Sequence, residues 1–295
     1  MAKFVCRLSR FLAIFTLCLG MLIGFVIFMS KLNVENCRLN DSVDALILGD
    51  SHTMWAIDDS HISGLQNISL NGEGYKYSYK KLLHALESGA HLKVVYLGFS
   101  YHNLSGYFDQ YINGRLFKNF FARYLSLMTL NDYIQLLKSS SDDLVTVFRN
   151  LVWEGKRAIK GECALFGGFP DQRMDQVFSR ESMLKRISAQ YYDKGKLLAT
   201  SNSNKEYLEK IIELCKSSKI RVVLVSTPLH SDYMSHVPVE YVNYYDSFVS
   251  DSGLEVFEFK GMELSDNFFL PDGDHLNSNG AVKATEIFRI YHESN

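Results

Sequence analysis

This sequence lacks the features that would assign several function classes directly. Outside the N-terminus it has no long lysine or arginine run, and 31 basic against 33 acidic residues give a formal net charge of −2. This balance gives no electrostatic support for nucleic-acid binding, so we predict no nucleic-acid partner. The chain also has no Cys-x-x-Cys motif and no cluster of cysteine and histidine. We therefore predict no zinc site, no other metal site and no cofactor.

Charged residues are also missing from residues 11–30, which read FLAIFTLCLGMLIGFVIFMS. This run has the length of about 20 residues that a helix needs to cross a bilayer. Only basic charges precede it, and the far flank mixes both signs, so the positive-inside rule places the main body on the extracytoplasmic side. A cleaved signal peptide is the alternative, but its apolar region is normally shorter and ends at a small-x-small site, which is not evident here. We predict a single-pass anchor over 1–30 and a linker over 31–43.

Cysteine is scarce, with five residues in the chain. Cys6 and Cys18 lie in or beside the anchor, and Cys215 lies on the apolar face of a predicted helix, where core packing explains it. Cys37 and Cys163 remain. An exported domain permits a disulfide between them, but the sequence does not show whether they are close enough.

After the linker, short apolar runs alternate with helical patterns. We predict five strands, at 44–49, 67–70, 93–99, 220–226 and 254–259. We predict helices at 55–64, 75–88, 203–218, 241–250 and from Ser278 onward. This alternation predicts an α/β fold, a flavodoxin-like three-layer sandwich with a five-stranded parallel sheet and right-handed crossovers.

Residues 101–200 interrupt that rhythm with a mostly helical insertion after the third strand, inside a domain that spans 44–295. Helical patterns cover 116–128 and 142–159. Aromatic residues at the start of the insertion have two interpretations: they line a cap over the active edge, or they form the insertion's own core. The second is the commoner reason for clustered aromatic side chains, and we favour it for most of them.

The first predicted strand ends in Gly49-Asp50-Ser51-His52, which delivers a serine to the carboxyl edge of the sheet. A serine hydroxyl needs a base, usually histidine, and the histidine needs a carboxylate to orient it. Asp272 and His275 are three residues apart, a spacing that places both side chains on one face of a turn. We therefore predict Ser51 as nucleophile, His275 as base and Asp272 as the orienting acid.

An acyl-transfer site also needs donors for an oxyanion. Ser51 would open a helix, so its own backbone N–H can donate, and Gly72 lets a second backbone N–H approach closely. Ser100 or Asn103, after the third strand, is the predicted third donor. Each motif alone has a structural explanation, since a serine after a strand is a common N-cap and Asp-Gly-Asp is typical of a turn. The sequence has no Gly-x-Ser-x-Gly elbow around Ser51, so an α/β-hydrolase geometry is unsupported.

The joint pattern is more specific, and it resembles the SGNH/GDSL hydrolase superfamily over residues 44–104 and 220–292. By this resemblance Gly49-Asp50-Ser51 is the nucleophile block, and Asp272 with His275 is the Asp-x-x-His block. The resemblance implies an acyl-enzyme on the serine, with the histidine acting first as base and then as acid.

The middle blocks fit less closely. Gly72, or otherwise Gly74, corresponds to the glycine of the second block. Where the family usually has Gly-x-Asn-Asp, this chain has Gly98-Phe99-Ser100-Tyr101, so Ser100 takes the place of the asparagine and Asn103 lies one turn further on.

The anchor and the Gly-Asp-Ser-His form look like the branch that includes alginate O-acetyltransferase-like and D-alanine-transfer proteins. That resemblance implies a polysaccharide or acyl-ester substrate in the cell envelope and a membrane acyl-donor partner. Water as acceptor gives an esterase, and a sugar hydroxyl gives a transferase. Two other classes stay open: a catalytically weak scaffold of a polysaccharide assembly machine, and a metallophosphoesterase using Asp50, His52, Asp272, Asp274 and His275.

Overall fold

The computed structural model describes residues 1–112, 114, 116–138, 141–170, 173–262 and 265–295. These residues form two compact units. The N-terminal unit consists of Met1–Arg38 and Lys118–Leu165, and the sheet unit consists of Leu39–Phe117 and Phe166–Asn295.

The helices of the described chain are α1 (Ala2–Glu35), α2 (Ser51–Ala56), α3 (Tyr75–Glu87), α4 (Asp109–Ile112), α5 (Phe117–Phe121), α6 (Leu130–Lys138), α7 (Ser141–Ile159), α8 (Arg180–Tyr191), α9 (Asn202–Ser217), α10 (Ser231–His236), α11 (Val239–Ser252) and α12 (Ser278–Glu293). The strands are β1 (Ala45–Leu48), β2 (Leu65–Asn67), β3 (Val94–Gly98), β4 (Tyr192–Asp193), β5 (Lys196–Leu197), β6 (Arg221–Ser226) and β7 (Glu255–Glu258). Short 3₁₀ turns occur at Asp59–His61, Tyr101–Leu104, Gly106–Phe108, Leu125–Leu127 and Asp266–Phe268.

Five of the strands form one sheet in the order β2-β1-β3-β6-β7, and every neighbouring pair is parallel. The predicted five-stranded parallel sheet is therefore confirmed. The chain runs from β1 to β2 on one side and then crosses to β3 on the other, so the strand order reverses at β1. Such a reversal opens a crevice at the carboxyl ends of the two central strands.

The sequence of β1, Ala-Leu-Ile-Leu, explains how both faces of the sheet are covered. Leu46 and Leu48 point to a core with residues of α3 and α9, whereas Ala45 and Ile47 point to a core with residues of α2 and α12. All four side chains are fully buried. A continuous apolar run, rather than an alternating one, is what a strand with helices on both faces requires.

Several boundaries differ from the prediction because capping bonds, not hydrophobic periodicity, determine them. Asp50 Oδ1 accepts from the His52 N–H at 2.9 Å, so a helix starts at Ser51 itself rather than at residue 55. Ser201 Oγ accepts from the Asn204 N–H at 2.9 Å and starts α9 at Asn202, one residue before the predicted start. The second strand lies at Leu65–Asn67 instead of 67–70.

In the N-terminal unit, α1 is long and apolar enough to cross a membrane, as predicted. It continues to Glu35, so residues 31–35 of the predicted linker are helical. The polar side chains beyond the apolar run are used in packing: Asn33 Oδ1 accepts from the Ala164 N–H at 3.0 Å, and Cys37 forms a disulfide with Cys163. The pairing that the sequence left open is thus present in the structure.

The residues between β3 and β6 are divided between the two compact units. Residues 118–165 belong to the N-terminal unit, and the rest of the predicted insertion belongs to the sheet unit. Burial supports the core interpretation for half of the six aromatic residues: Phe108, Phe117 and Phe121 are buried, whereas Tyr101 is only partly buried. Tyr107 and Tyr111 are only partly buried, and their hydroxyl oxygens lie 2.7 Å apart.

Candidate active site

The nucleophile candidate lies at the sharp junction of β1 and α2. Gly49 has φ +155°, and a Cβ added there would lie 2.5 Å from Thr53 Oγ1 and 3.4 Å from the backbone of Gly98. Only glycine fits this close approach between the end of β1 and the end of β3. The backbone then turns directly into α2, which places Ser51 at the carboxyl edge of the sheet.

Three predicted residues meet there. Ser51 Oγ lies 2.7 Å from His275 Nε2, and His275 Nδ1 lies 2.8 Å from Asp272 Oδ2. The His275 backbone N–H also donates to Asp272 Oδ1 at 3.3 Å, which fixes the turn that carries both. The distances between these side chains are those of a serine, a base and an acid arranged in series.

A second carboxylate, Asp274, contacts the same histidine. Its Oδ1 lies 3.1 Å from His275 Nδ1, and its side chain is fully buried. Its Oδ2 accepts from Arg186 Nε at 2.7 Å and from Gln190 Nε2 at 2.9 Å, and lies 3.2 Å from His52 Nε2. Asp274 is therefore held by side chains from two other elements.

Sequence reasoning assigned Asp274 to a turn or a metal site and did not find Arg186 or Gln190. Both come from α8, where their spacing of four residues places them on one helix face. That spacing is the only signal in the sequence, and nothing local shows which carboxylate the face would meet.

The electrostatics of His275 follow from these contacts. Burial alone would lower its pKa, but the carboxylates of Asp274 and Asp272 outweigh burial and raise the pKa to about 10. Asp274 is itself buried, which would raise its pKa, but Arg186 and His275 hold the pKa well below its usual range. At neutral pH the resting site therefore contains mainly an imidazolium beside the charged Asp274 carboxylate.

His52, the residue after the nucleophile, has the opposite environment. Burial and the neighbouring His102 lower its pKa to about 4, although its contact with Asp274 acts in the other direction. Its Nδ1 lies 3.3 Å from Thr227 Oγ1, and its ring stacks on His102 with a centroid distance of 4.0 Å. His52 is therefore a neutral neighbour of the reacting groups.

Asp50 organises the other side of the junction. Its Oδ2 accepts from Asn103 Nδ2 at 2.9 Å and lies 2.7 Å from His102 Nε2. Burial would raise its pKa, but His102 and His52 lower it well below the usual range, so the carboxylate is charged. Asp50 thus ties the loop after β3 to the first turn of α2.

The structure gives the predicted oxyanion donors distinct surroundings. Asn103 Oδ1 accepts from the Ser100 N–H at 2.7 Å, so the Asn103 amide is engaged at its oxygen as well as by Asp50. Ser100 is buried and its backbone N–H is used in this bond, so its hydroxyl is the group of Ser100 that can donate to an oxyanion. Gly72 has φ +68°, and a Cβ there would lie 3.1 Å from the Tyr111 ring. The participation of these residues in an oxyanion hole stays a prediction.

One group of side chains has the composition of a metal site. Ligand atoms of His52, Asp274 and His275 lie within 4.8 Å of one another. The donor set nevertheless does not fit a divalent cation, because Arg186 already places a positive charge 2.7 Å from Asp274 Oδ2. The two nitrogens of His275 are also used, by Ser51 and by the carboxylates. We therefore derive no step through a metal.

No model of a known protein family matches the chain, and no curated protein matches it. The case for a function accordingly depends on the fold and on the geometry of the site.

Proposed function

We propose that this protein is a serine-dependent acyl-ester hydrolase or O-acyltransferase of the SGNH/GDSL type, acting on an envelope or extracellular polysaccharide. The observation that carries the proposal is the series of contacts from Ser51 Oγ to His275 Nε2 at 2.7 Å and from His275 Nδ1 to Asp272 Oδ2 at 2.8 Å. The strand order supports a flavodoxin-like arrangement, in which the residues between β3 and β6 are an insertion.

In the proposed reaction, Ser51 Oγ attacks the acyl carbonyl carbon while His275 Nε2 takes its proton. The new oxygen–carbon bond forms a tetrahedral intermediate, whose oxyanion is stabilised by backbone and side-chain donors at the sheet edge. The alcohol then leaves with the proton from His275. Water or a sugar hydroxyl attacks the acyl-serine in the second half, with the same histidine as base and then as acid.

Helix α1 and the disulfide support the proposed membrane setting. The basic flank before the apolar run favours an orientation with the sheet unit on the extracytoplasmic side. A bond between Cys37 and Cys163 is typical of a compartment that is oxidising, which supports the same side. A polysaccharide substrate and a membrane partner that donates the acyl group fit this location.

Fluorophosphonate labelling of the full chain in detergent, with the disulfide intact, tests the nucleophile. We expect one labelled peptide, containing Ser51, and no label in Ser51→Ala. Ser60→Ala, at an exposed serine of the sheet unit, is the matched control and should label as the parent does. Labelling that persists in Ser51→Ala would refute the assignment.

Substrate assays then separate hydrolysis from transfer. We expect the unlabelled parent protein to release acetate from p-nitrophenyl acetate or from an acetylated glycan, and we expect the fluorophosphonate-labelled protein and Ser51→Ala to release none. A second incubation with an unacetylated glycan tests whether a sugar hydroxyl competes with water for the acyl group. Transfer would appear as acetylated glycan at the expense of free acetate.

One observation favours the scaffold as a second candidate. Asn103 is the asparagine closest in sequence to the position where the family has one. Its side-chain amide is already used, because Nδ2 donates to Asp50 and Oδ1 accepts from the Ser100 N–H. Fewer free donors would weaken stabilisation of an oxyanion. A parent protein that is folded but neither labels nor releases acetate would support the scaffold over the enzyme.

A further inference from the structure

Helix α7 of the N-terminal unit carries an exposed apolar stripe. Its members recur at intervals of three, four and seven residues, which places them on one face of the helix. They are Val145 (70% exposed), Phe148 (44%), Val152 (42%) and Ile159 (69%). Trp153, beside this stripe, is 65% exposed. Single apolar residues on a surface are common, but a row along one helix face indicates a surface that is covered in use.

A second face of α7 is already packed, since Val147 and Ala158 are buried. Gly155, at the edge of the stripe, is in ordinary contact with α1, because an added Cβ would lie 3.8 Å from the Met29 Cβ. Asn36 Nδ2 donates to the Ala158 carbonyl at 3.4 Å. A helix with apolar side chains on two faces packs against protein with one face and is in contact with a second apolar environment on the other.

The contacts with α1 indicate which environment this is. Gly155 of α7 contacts α1 at Met29, the penultimate residue of the apolar run, and the disulfide of Cys37 lies eight residues further along the chain. From Met29 to its end at Glu35, α1 rises about 9 Å, so this contact with α7 lies close to the end of the apolar run. If α1 crosses the bilayer, this end of α7 is fixed at the bilayer surface.

The charges on α7 fit the same surface. Arg149 and Lys156 of α7, and Lys160 directly after it, are exposed, whereas Glu154 is partly buried and lies 3.5 Å from Arg123 Nε. Exposed basic residues next to an apolar stripe with a tryptophan are typical of helices that lie in the membrane interface. Long basic side chains can reach the headgroups while the apolar side chains enter the acyl boundary.

We propose that α7 lies in the interface of the membrane that α1 enters, with its Val145–Phe148–Val152–Ile159 face in the lipid. Trp153 then lies at the level of the headgroups, and the basic residues favour anionic lipid. This inference rests on the proposal that α1 spans a membrane. It does not depend on the chemistry of Ser51.

The two tryptophans of the chain make a direct test possible. Full-length protein is inserted into bilayer discs of phosphatidylcholine and phosphatidylglycerol, with and without bromine on the upper acyl chain. Trp55→Phe leaves Trp153 of α7 as the only emitter, and Trp153→Phe leaves Trp55 of the sheet unit as the reference. We expect brominated lipid to remove about half or more of the Trp153 emission, because quenching requires contact at interfacial depth.

A second pair of variants tests the stripe. In the Trp55→Phe background, Phe148→Glu should reduce the quenching of Trp153, and the matched Val239→Glu, at an exposed valine of α11, should not. Omitting phosphatidylglycerol should also reduce it. If the discs retain the protein but Trp153 is quenched no more than Trp55, the inference about α7 is overturned while the span stands. If the discs do not retain the protein, both the span and this inference fall.

Discussion

His275 and His52 are buried side by side at one sheet edge, with ring centroids 4.8 Å apart, yet their pKa values move in opposite directions. Burial lowers both. His275 has two carboxylates at its Nδ1, whereas His52 has one carboxylate at 3.2 Å and a second imidazole stacked on its ring. The comparison indicates that the charged neighbours of a buried histidine, and not burial alone, determine the direction of its pKa shift.

The largest expected effect comes from removing each histidine in turn. His275→Ala should lower kcat/KM for p-nitrophenyl acetate by about a thousandfold or more, because within the described residues it is His275 that contacts Ser51 Oγ as a base. His52→Gln should lower it by about tenfold or less, because a neutral amide can replace a neutral imidazole. Equal losses in the two variants would contradict the comparison.

The two carboxylates at His275 should separate next. Asp272→Asn should lower kcat by about a hundredfold or more and leave stability within about 1 kcal/mol, because its side chain is partly exposed. Asp274→Asn should cost about 3 kcal/mol of stability, because it leaves the Arg186 guanidinium without its buried partner. Urea unfolding followed alongside kcat distinguishes the two. A stable, inactive Asp274→Asn variant would reverse their roles.

The pH profile depends on the raised pKa of His275. Only the neutral imidazole can accept the Ser51 proton, and with a pKa of about 10 that form is a minority at neutral pH. The logarithm of kcat/KM should therefore rise with pH well above the ordinary histidine range near 6.5 and level off near the raised pKa. Asp272→Asn should move the midpoint to lower pH, and His52→Gln should leave it in place. A midpoint near 6.5 in the parent protein would contradict this.

The smallest effect is expected at Arg186. Arg186→Lys keeps the charge but replaces the Nε donor, which contacts Asp274 Oδ2 at 2.7 Å, by a flexible ammonium. Because Gln190 still donates to the same oxygen, we expect a loss in kcat of about tenfold or less, with KM unchanged. Arg186→Met, which removes the charge, should also move the midpoint of the pH profile of kcat/KM. An unchanged midpoint would show that Arg186 has no part in holding Asp274.

Structural features that depend on the spacing of residues close together in the chain could be predicted from the sequence. Only two residues separate Ser51 from the end of a strand, and Asp272 and His275 share one turn, so both halves of the proposed triad were visible as short motifs. The five-stranded sheet followed in the same way from apolar runs. Arg186 and Gln190 were not predictable, because they are 88 and 84 residues from Asp274 and their helix shows only its own periodicity.

Other differences have the same cause. The start of α9 depends on which of two serines accepts a backbone N–H, and composition does not distinguish Ser201 from Ser203. The end of α1 depends on the polar contacts of Asn33 and Asn36 with a segment more than a hundred residues later. Long-range partners of this kind leave no periodic pattern in a single sequence.

The disulfide has a consequence for how the site is connected. It joins positions separated by 126 residues, and the covalent ring so formed includes Ser51, whereas His275 lies in the linear tail after Cys163. A proteolytic cut within the ring leaves the two pieces bonded and both still attached to the tail. A cut between Cys163 and Asp272 separates the fragment that carries His275 from the fragment that carries Ser51. Nicked protein analysed without reductant would therefore report whether the cut lies in the ring or in the tail.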